Sequence, residues 1–152
     1  MTLLGAAQIR ELAAALDLKP SKSLGQNFVI DSNVCTKIVR TAAVGPTDIA
    51  LEIGPGLGSL TLALLDSAAS VVAVEIDSRL AGQLPITVAN LFEHPENLTV
   101  LNQDALSIQS LPVNPTVLVA NLPYNVSVPV LLHLLEKFES LRTGVVMVQA
   151  EV

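Results

Sequence analysis

A single cysteine, Cys35, is all the sequence holds, which excludes an internal disulfide and fits a reducing compartment. Within NVCTKIV it reads as a helix-core thiol and not as a nucleophile. No run approaches the roughly 20 apolar residues that a membrane-spanning helix requires, and MTLLGAAQIRE has no basic segment of the kind that opens a secretory signal. The expectation is a soluble, cytoplasmic protein without a membrane partner. Basic side chains are scarce, eight against fourteen acids, for a net charge of −6. That excludes nucleic-acid binding over the whole surface, because phosphate contacts need clustered lysine and arginine. The shortage is uneven: residues 1–43 hold five bases (Arg10, Lys19, Lys22, Lys37, Arg40) against three acids, and the remainder holds three against eleven. A polyanion would meet the N-terminal segment first, or a part of the protein beyond this sequence. His94 and His133 have no carboxylate or nucleophile at suggestive spacing; both read as surface or packing residues, and no metal is expected.

What the sequence has in abundance is apolar surface. Its 152 residues, 51% of them hydrophobic, have the length of one domain and can bury a substantial core. Ile9, Leu12 and Leu16 recur at helical spacing, so AAQIRELAAAL predicts an amphipathic helix. DLKPSKSLGQNF predicts an irregular loop, whose Lys19 and Lys22 suit either phosphate or plain solvation. Asp31 is placed to cap a second helix from about Ser32 to Ala43, ended by VGPT.

Beyond that helix the pattern changes. DIALEI is a short apolar run, followed by GPGLG, a helical SLTLALLDSA and the β-branched SVVAVEI, apolar on both faces. A helical region from Ser78 to Glu93 is expected in two pieces, because Pro85 suits the opening of a helix and not its interior. LTVLN, TVLVAN and GVVMVQAEV read as further strands, the last two joined by a helix capped by Ser127 with Pro129 in its first turn. Strands apolar on both faces that alternate with helices define an α/β protein with a doubly wound, mainly parallel sheet. The last strand leaves an apolar edge where the sequence stops, a feature complete proteins avoid. The expectation is a truncated chain whose last strand is open to non-native pairing with another copy.

Three sets of residues point to chemistry. Gly54, Gly56 and Gly58 follow the first strand and precede a helix, where open α/β sheets bind ligands and where glycine lets a ligand touch backbone. Glu75 ends the next strand, 17 residues beyond Gly58, a place from which a carboxylate can accept both hydroxyls of a ribose. The spacing G-x-G-x-G, preceded by Glu52, suits S-adenosylmethionine better than a nicotinamide dinucleotide, and a tight turn without ligand is the plainer reading. Asp104, in QDAL after the third strand, suits either an adenine amine or a helix cap. Asn121, Leu122, Pro123 and Tyr124 form a predicted loop at the end of the fourth strand. An amide, a proline and the only tyrosine there can hold and stack a flat ring, or form a polar turn.

LGQNFVID (24–31), LEIGPGLGSLT (51–61), VVAVEID (71–77), QDAL (103–106) and NLPYNVS (121–127) stand in the order seen in ribosomal-RNA adenine dimethyltransferases, which the sequence resembles from residue 19 to 152. GPGLGSLT looks more like the small-subunit enzymes than their large-subunit, antibiotic-resistance relatives. The resemblance implies a Rossmann-like S-adenosylmethionine-dependent methyltransferase domain, truncated after its fifth strand, with N-terminal helices and a cofactor-covering loop in 1–46, a core in 47–152 and no C-terminal helical domain. It places Gln26, Asn27 and Phe28 beside the methionine part of the cofactor, Gly54 and Gly56 against its backbone and Glu75 on the ribose, with Gly58 and Ile76 also among the cofactor-binding residues. Asp104 and Ala105 fall at the adenine, and Asn121 to Tyr124 at the target base, Asn121 also touching the cofactor. The implied activity is dimethylation of the exocyclic amines of two adjacent adenines near the 3′ end of small-subunit ribosomal RNA in a pre-30S particle. Alternatives are a large-subunit RNA or DNA adenine methyltransferase, an RNA-binding assembly factor with secondary methylation, and, more distantly, a nicotinamide dehydrogenase.

Overall fold

The computed structural model describes residues 32–149, together with Gly5, Ala7, Gln8, Arg10 and Glu11. The predicted first helix falls largely outside these residues, and the DLKPSKSLGQNF loop and Asp31 fall wholly outside them.

Helix α1 (Ser32–Thr41) turns Cys35, Ile38 and Val39 inward, as the spacing of its apolar residues requires. There follow β1 (Ile49–Ile53), a glycine turn at 54–58, α2 (Ser59–Ser67), β2 (Ser70–Val74), α3 (Ser78–Leu91), β3 (Leu98–Leu101), β4 (Val117–Pro123), α4 (Tyr124–Lys137) and β5 (Thr143–Gln149). Short 3-10 turns sit at Pro95–Asn97 and Ala105–Ser107. All four strand pairings are parallel, in the order β3-β2-β1-β4-β5. The chain winds outward one way through β2 and β3 and the other way through β4 and β5, so the switch point lies between β1 and β4.

Side chains alternate across each strand, and two cores result. Ala50, Val71, Ala73, Val117 and Val119 pack with α1, α2 and α3 on one face. Leu51, Ile53, Val72, Val74, Leu118 and Ala120 pack with α4 and the 3-10 turn after Asp104 on the other. The α/β, doubly wound reading therefore holds. At the sheet end away from the switch-point crevice, the buried Asp48 accepts from Gly45 N–H (2.8 Å), Thr116 Oγ1 (2.9 Å) and Arg142 (2.6 Å). This ties the starts of β1, β4 and β5 together.

Three local expectations are corrected. Ser78–Leu91 is one helix that runs through Pro85. Leu80, Ala81, Leu84, Thr87 and Val88, on both sides of the proline, lie on one buried stripe, and that burial holds the helix across the missing N–H. Ser127 is not the cap of α4: the helix opens three residues earlier at Tyr124, Ser127 donates its hydroxyl back to the Tyr124 carbonyl (2.9 Å), and Pro129 lies past the first turn. NLPY is not a loop either. Asn121, Leu122 and Pro123 are the end of β4, paired with Met147, Val148 and Gln149, and Tyr124 starts α4 directly. Pro123, with φ of −58° and ψ of 147°, ends the strand and enters the helix without a bend of intervening residues.

Candidate functional site

A cleft of about 410 Å³ opens at the switch point, outside the carboxyl ends of β1, β2 and β4. Its floor is made by Ile53, Val74 and Leu122, its walls by the glycine turn, residues 75–77 and residues 103–106, and its far side by Val126 and Val130 of α4.

The glycine turn is built from backbone conformations that side chains resist. Gly54, Gly56 and Gly58 have φ of 74°, 58° and 105°, in the left-handed region open to glycine at no steric cost. A Cβ on Gly54 would come within 2.6 Å of the Asn121 carbonyl oxygen, so the turn and the end of β4 are in backbone contact. Gly54 and Gly56 line the cleft; Gly58 does not. Gly58 is the N-cap of α2, and a Cβ there would meet Leu84 of α3 at 2.8 Å. Its glycine serves the turn and the packing of two helices.

Glu75 lies at the end of β2 with 6% of its surface exposed and borders the cleft. Its carboxylate accepts from the Gly56 N–H (3.2 Å) and the Asp77 N–H (3.0 Å). Burial pushes its pKa above the ordinary value, opposed by those two N–H groups and reinforced by the Asp77 charge. A carboxylate has room for more than two donors, so Glu75 can order the turn and still accept from a ligand hydroxyl. Ile76, 68% exposed, offers an apolar wall beside it. Asp104 caps the 3-10 turn through Leu106 N–H (3.0 Å), as one of its two readings has it, and it also lines the cleft with Ala105.

Asn121, 4% exposed, Leu122 and Pro123 bring the end of β4 into the same cleft. Tyr124, directly after Pro123, is not part of the lining and is 66% exposed. Gln26, Asn27 and Phe28 lie outside the described residues. Among the described residues, every charged side chain lining the cleft, Glu75, Asp77 and Asp104, is acidic. Such a site favours a cation over the pyrophosphate of a dinucleotide.

Beneath the turn, Glu52 is 1% exposed and its Oε1 accepts from Thr61 Oγ1 at 2.5 Å, joining β1 to α2. Among the described residues its Oε2 has no hydrogen-bond partner. Burial raises its pKa to about 8, against the Thr61 hydrogen bond and with help from the Glu75 charge. Sequence reasoning missed Asn102, whose side-chain amide donates to the carbonyls of Glu75 (2.9 Å) and Ile76 (3.2 Å). The available signal was an amide one residue past β3, in register with the residue after β2. The packing role expected of His133 is seen: its Nε2 lies 2.7 Å from the Ile108 carbonyl.

An open parallel sheet, a glycine turn after its first strand and an acid after its second make a Rossmann-like fold, and solved methyltransferase structures share it. The crystal structure of the 23S rRNA methyltransferase ErmE matches 79% of this chain and 47% of its own, with a TM-score of 0.69 and 32% identity. That of a dimethyladenosine transferase from Plasmodium falciparum matches 78% and 42%, with a TM-score of 0.66 and 31% identity. The family model "Ribosomal RNA adenine dimethylase" matches residues 18–152, and the chain belongs to that family. Among curated relatives, the ribosomal RNA small subunit methyltransferase A of Leifsonia xyli subsp. xyli is 61% identical over all of this chain and 55% of its own length. That of Streptomyces avermitilis is 59% identical over 99% of this chain and 52% of its own. The chain thus spans about half the length of these relatives. Among the described residues no helix is long and apolar enough to cross a membrane.

Proposed function

We propose that this chain is the cofactor-binding half of a methyltransferase that dimethylates two adjacent adenines near the 3′ end of small-subunit ribosomal RNA, using S-adenosylmethionine. The observation that carries the reading is the meeting of three elements in one cleft: the Gly54–Gly56 backbone, the buried Glu75 and the Asn121–Pro123 strand end. The residues fit the cofactor. Glycines leave space for it against the backbone, Glu75 suits its ribose, Ile76, Asp104 and Ala105 suit its adenine, and an acidic lining suits a sulfonium cation. Gln26, Asn27 and Phe28 complete the proposed site at its methionine end.

When bound, S-adenosylmethionine supplies a methyl group whose carbon the sulfonium already makes a strong electrophile. The protein's work therefore falls on the adenine amine, a poor nucleophile because its lone pair is delocalised into the ring. The Asn121 side-chain oxygen and the carbonyl of Leu122 or Pro123 accept its two N–H bonds, aiming the lone pair and stabilising the positive charge that develops. As the nitrogen bonds the methyl carbon the carbon–sulfur bond breaks, and the N–H proton is then released to water, so no strong base is required. Tyr124, exposed beside Pro123, stacks on the base, a contact worth about 1–3 kcal/mol in single-strand binders. The adenine must be unpaired to reach it.

The remaining half of the relatives' length is proposed to add further strands beside β5 and a small helical domain, and the substrate to be a pre-30S particle in the cytoplasm. Left bare, the edge of β5 would pair with a second copy as a non-native association. Methyl transfer from labelled S-adenosylmethionine, assayed on the chain extended to its relatives' length, tests the proposal. Label in small-subunit adenine, lost in Asn121→Ala, supports it; label in large-subunit RNA or DNA, or subunit binding with no transfer, favours the rivals.

A further inference from the structure

We infer that Asn102, which lies outside the cleft, is a positioning residue that sets the separation of the two walls gripping an adenosine; this rests on the cofactor reading above. Strands β2 and β3 end in register at Val74 and Leu101. Glu75 N–H still donates to the Leu101 carbonyl (2.9 Å), the last backbone rung between them. Beyond it, the Asn102 side chain replaces the ladder: its one NH2 group donates to both the Glu75 and Ile76 carbonyls. Both acceptors are carbonyl oxygens, so the partners themselves fix which end of the amide faces them.

The consequence lies in what is attached at each side. Glu75 and Ile76 form one wall, and Gln103, Asp104 and Ala105, directly after Asn102, form the other. A single side chain thus couples the ribose-facing carboxylate to the adenine-facing turn. Glu75 is held at three points, through its N–H, its carbonyl and its carboxylate, which in turn orders Gly56 and Asp77. With the Asn102 bonds gone, the carbonyls of Glu75 and Ile76 turn to water and the carboxylate loses its fixed aim.

The isosteric Asn102→Asp substitution removes both donors and sets a carboxylate against two carbonyl oxygens. Titration of S-adenosylhomocysteine is expected to show a Kd raised about tenfold or more, the size of two lost neutral hydrogen bonds. In a Glu75→Gln background the same substitution is expected to change Kd less than about threefold, because the residue acts through Glu75. In the ligand-free chain, amide exchange at Gly56 and Asp77 is expected to quicken while that of β1 holds. Unchanged affinity in Asn102→Asp, or an equal loss in both backgrounds, overturns the inference. Quickened exchange at Gly56 and Asp77 in a chain that does not bind S-adenosylhomocysteine upholds the positioning role and counts against the cofactor reading instead.

Discussion

A Cβ atom on Gly54 would sit 2.6 Å from the carbonyl oxygen of Asn121. The end of β1 and the end of β4 therefore touch through backbone at the one place where the strand order reverses, and the cleft is shaped by that contact. Gly54→Ala forces both an overlap with backbone and a side chain at φ of 74°. Destabilisation of at least about 2 kcal/mol is expected, since the left-handed backbone alone accounts for roughly 1–2. Chemical denaturation measures it, and a change below half that value would show the two strand ends free to separate.

Glu52 gives the protein a pH dependence of unusual sign for a carboxyl. Unfolded, it titrates near its ordinary value of 4.5; folded, at about 8. Its contribution is fully present below the unfolded value and is lost as pH rises through the folded one. Compared with Glu52→Gln, the unmodified chain should lose on the order of a few kcal/mol between about pH 5 and pH 8.5. Parallel stability curves for the two proteins over that window would contradict a buried, protonated Glu52.

Asp48 has the opposite sign. Burial alone would raise its pKa, but the hydrogen bonds from Gly45, Thr116 and Arg142 outweigh it and hold the carboxyl below its ordinary value of 3.8. Its stabilisation is present above that value and is lost as pH falls further. Arg142 is half exposed, so its charge is screened and the hydrogen bonds carry most of the effect. Asp48→Asn should cost about 1–3 kcal/mol at neutral pH and flatten the acid limb of the denaturation profile.

Pro85 lies inside α3 on its exposed side. Alanine there restores a backbone N–H, and thermal denaturation should show a stability gain of about 1–3 kcal/mol. No gain would mean that the helix is already bent around the proline in a way its packing needs.

How much of this was legible in the sequence depends on what kind of contact each residue makes. VVAV is apolar on both faces and IALEI is a short apolar run, as strands of a covered parallel sheet are, so strands, layers and the crevice could be read. Glu75 was legible because a carboxylate at the end of a buried strand stands out. Gly58 was not separable from Gly54 and Gly56, since spacing shows that glycine is needed but not whether a ligand or Leu84 is what presses on it. Pro85 and Pro129 misled because the buried stripes that carry the helices past them are tertiary. Asn102 looked like any polar residue at a strand end; its role exists only through the β2–β3 register.

The most direct test is calorimetric titration of S-adenosylhomocysteine into the chain, beside Glu75→Ala and beside a titration with NADH. Saturable binding that Glu75→Ala removes and NADH does not reproduce is the predicted result. Binding that survives Glu75→Ala, or a folded chain that takes up NADH and not S-adenosylhomocysteine, would contradict the account.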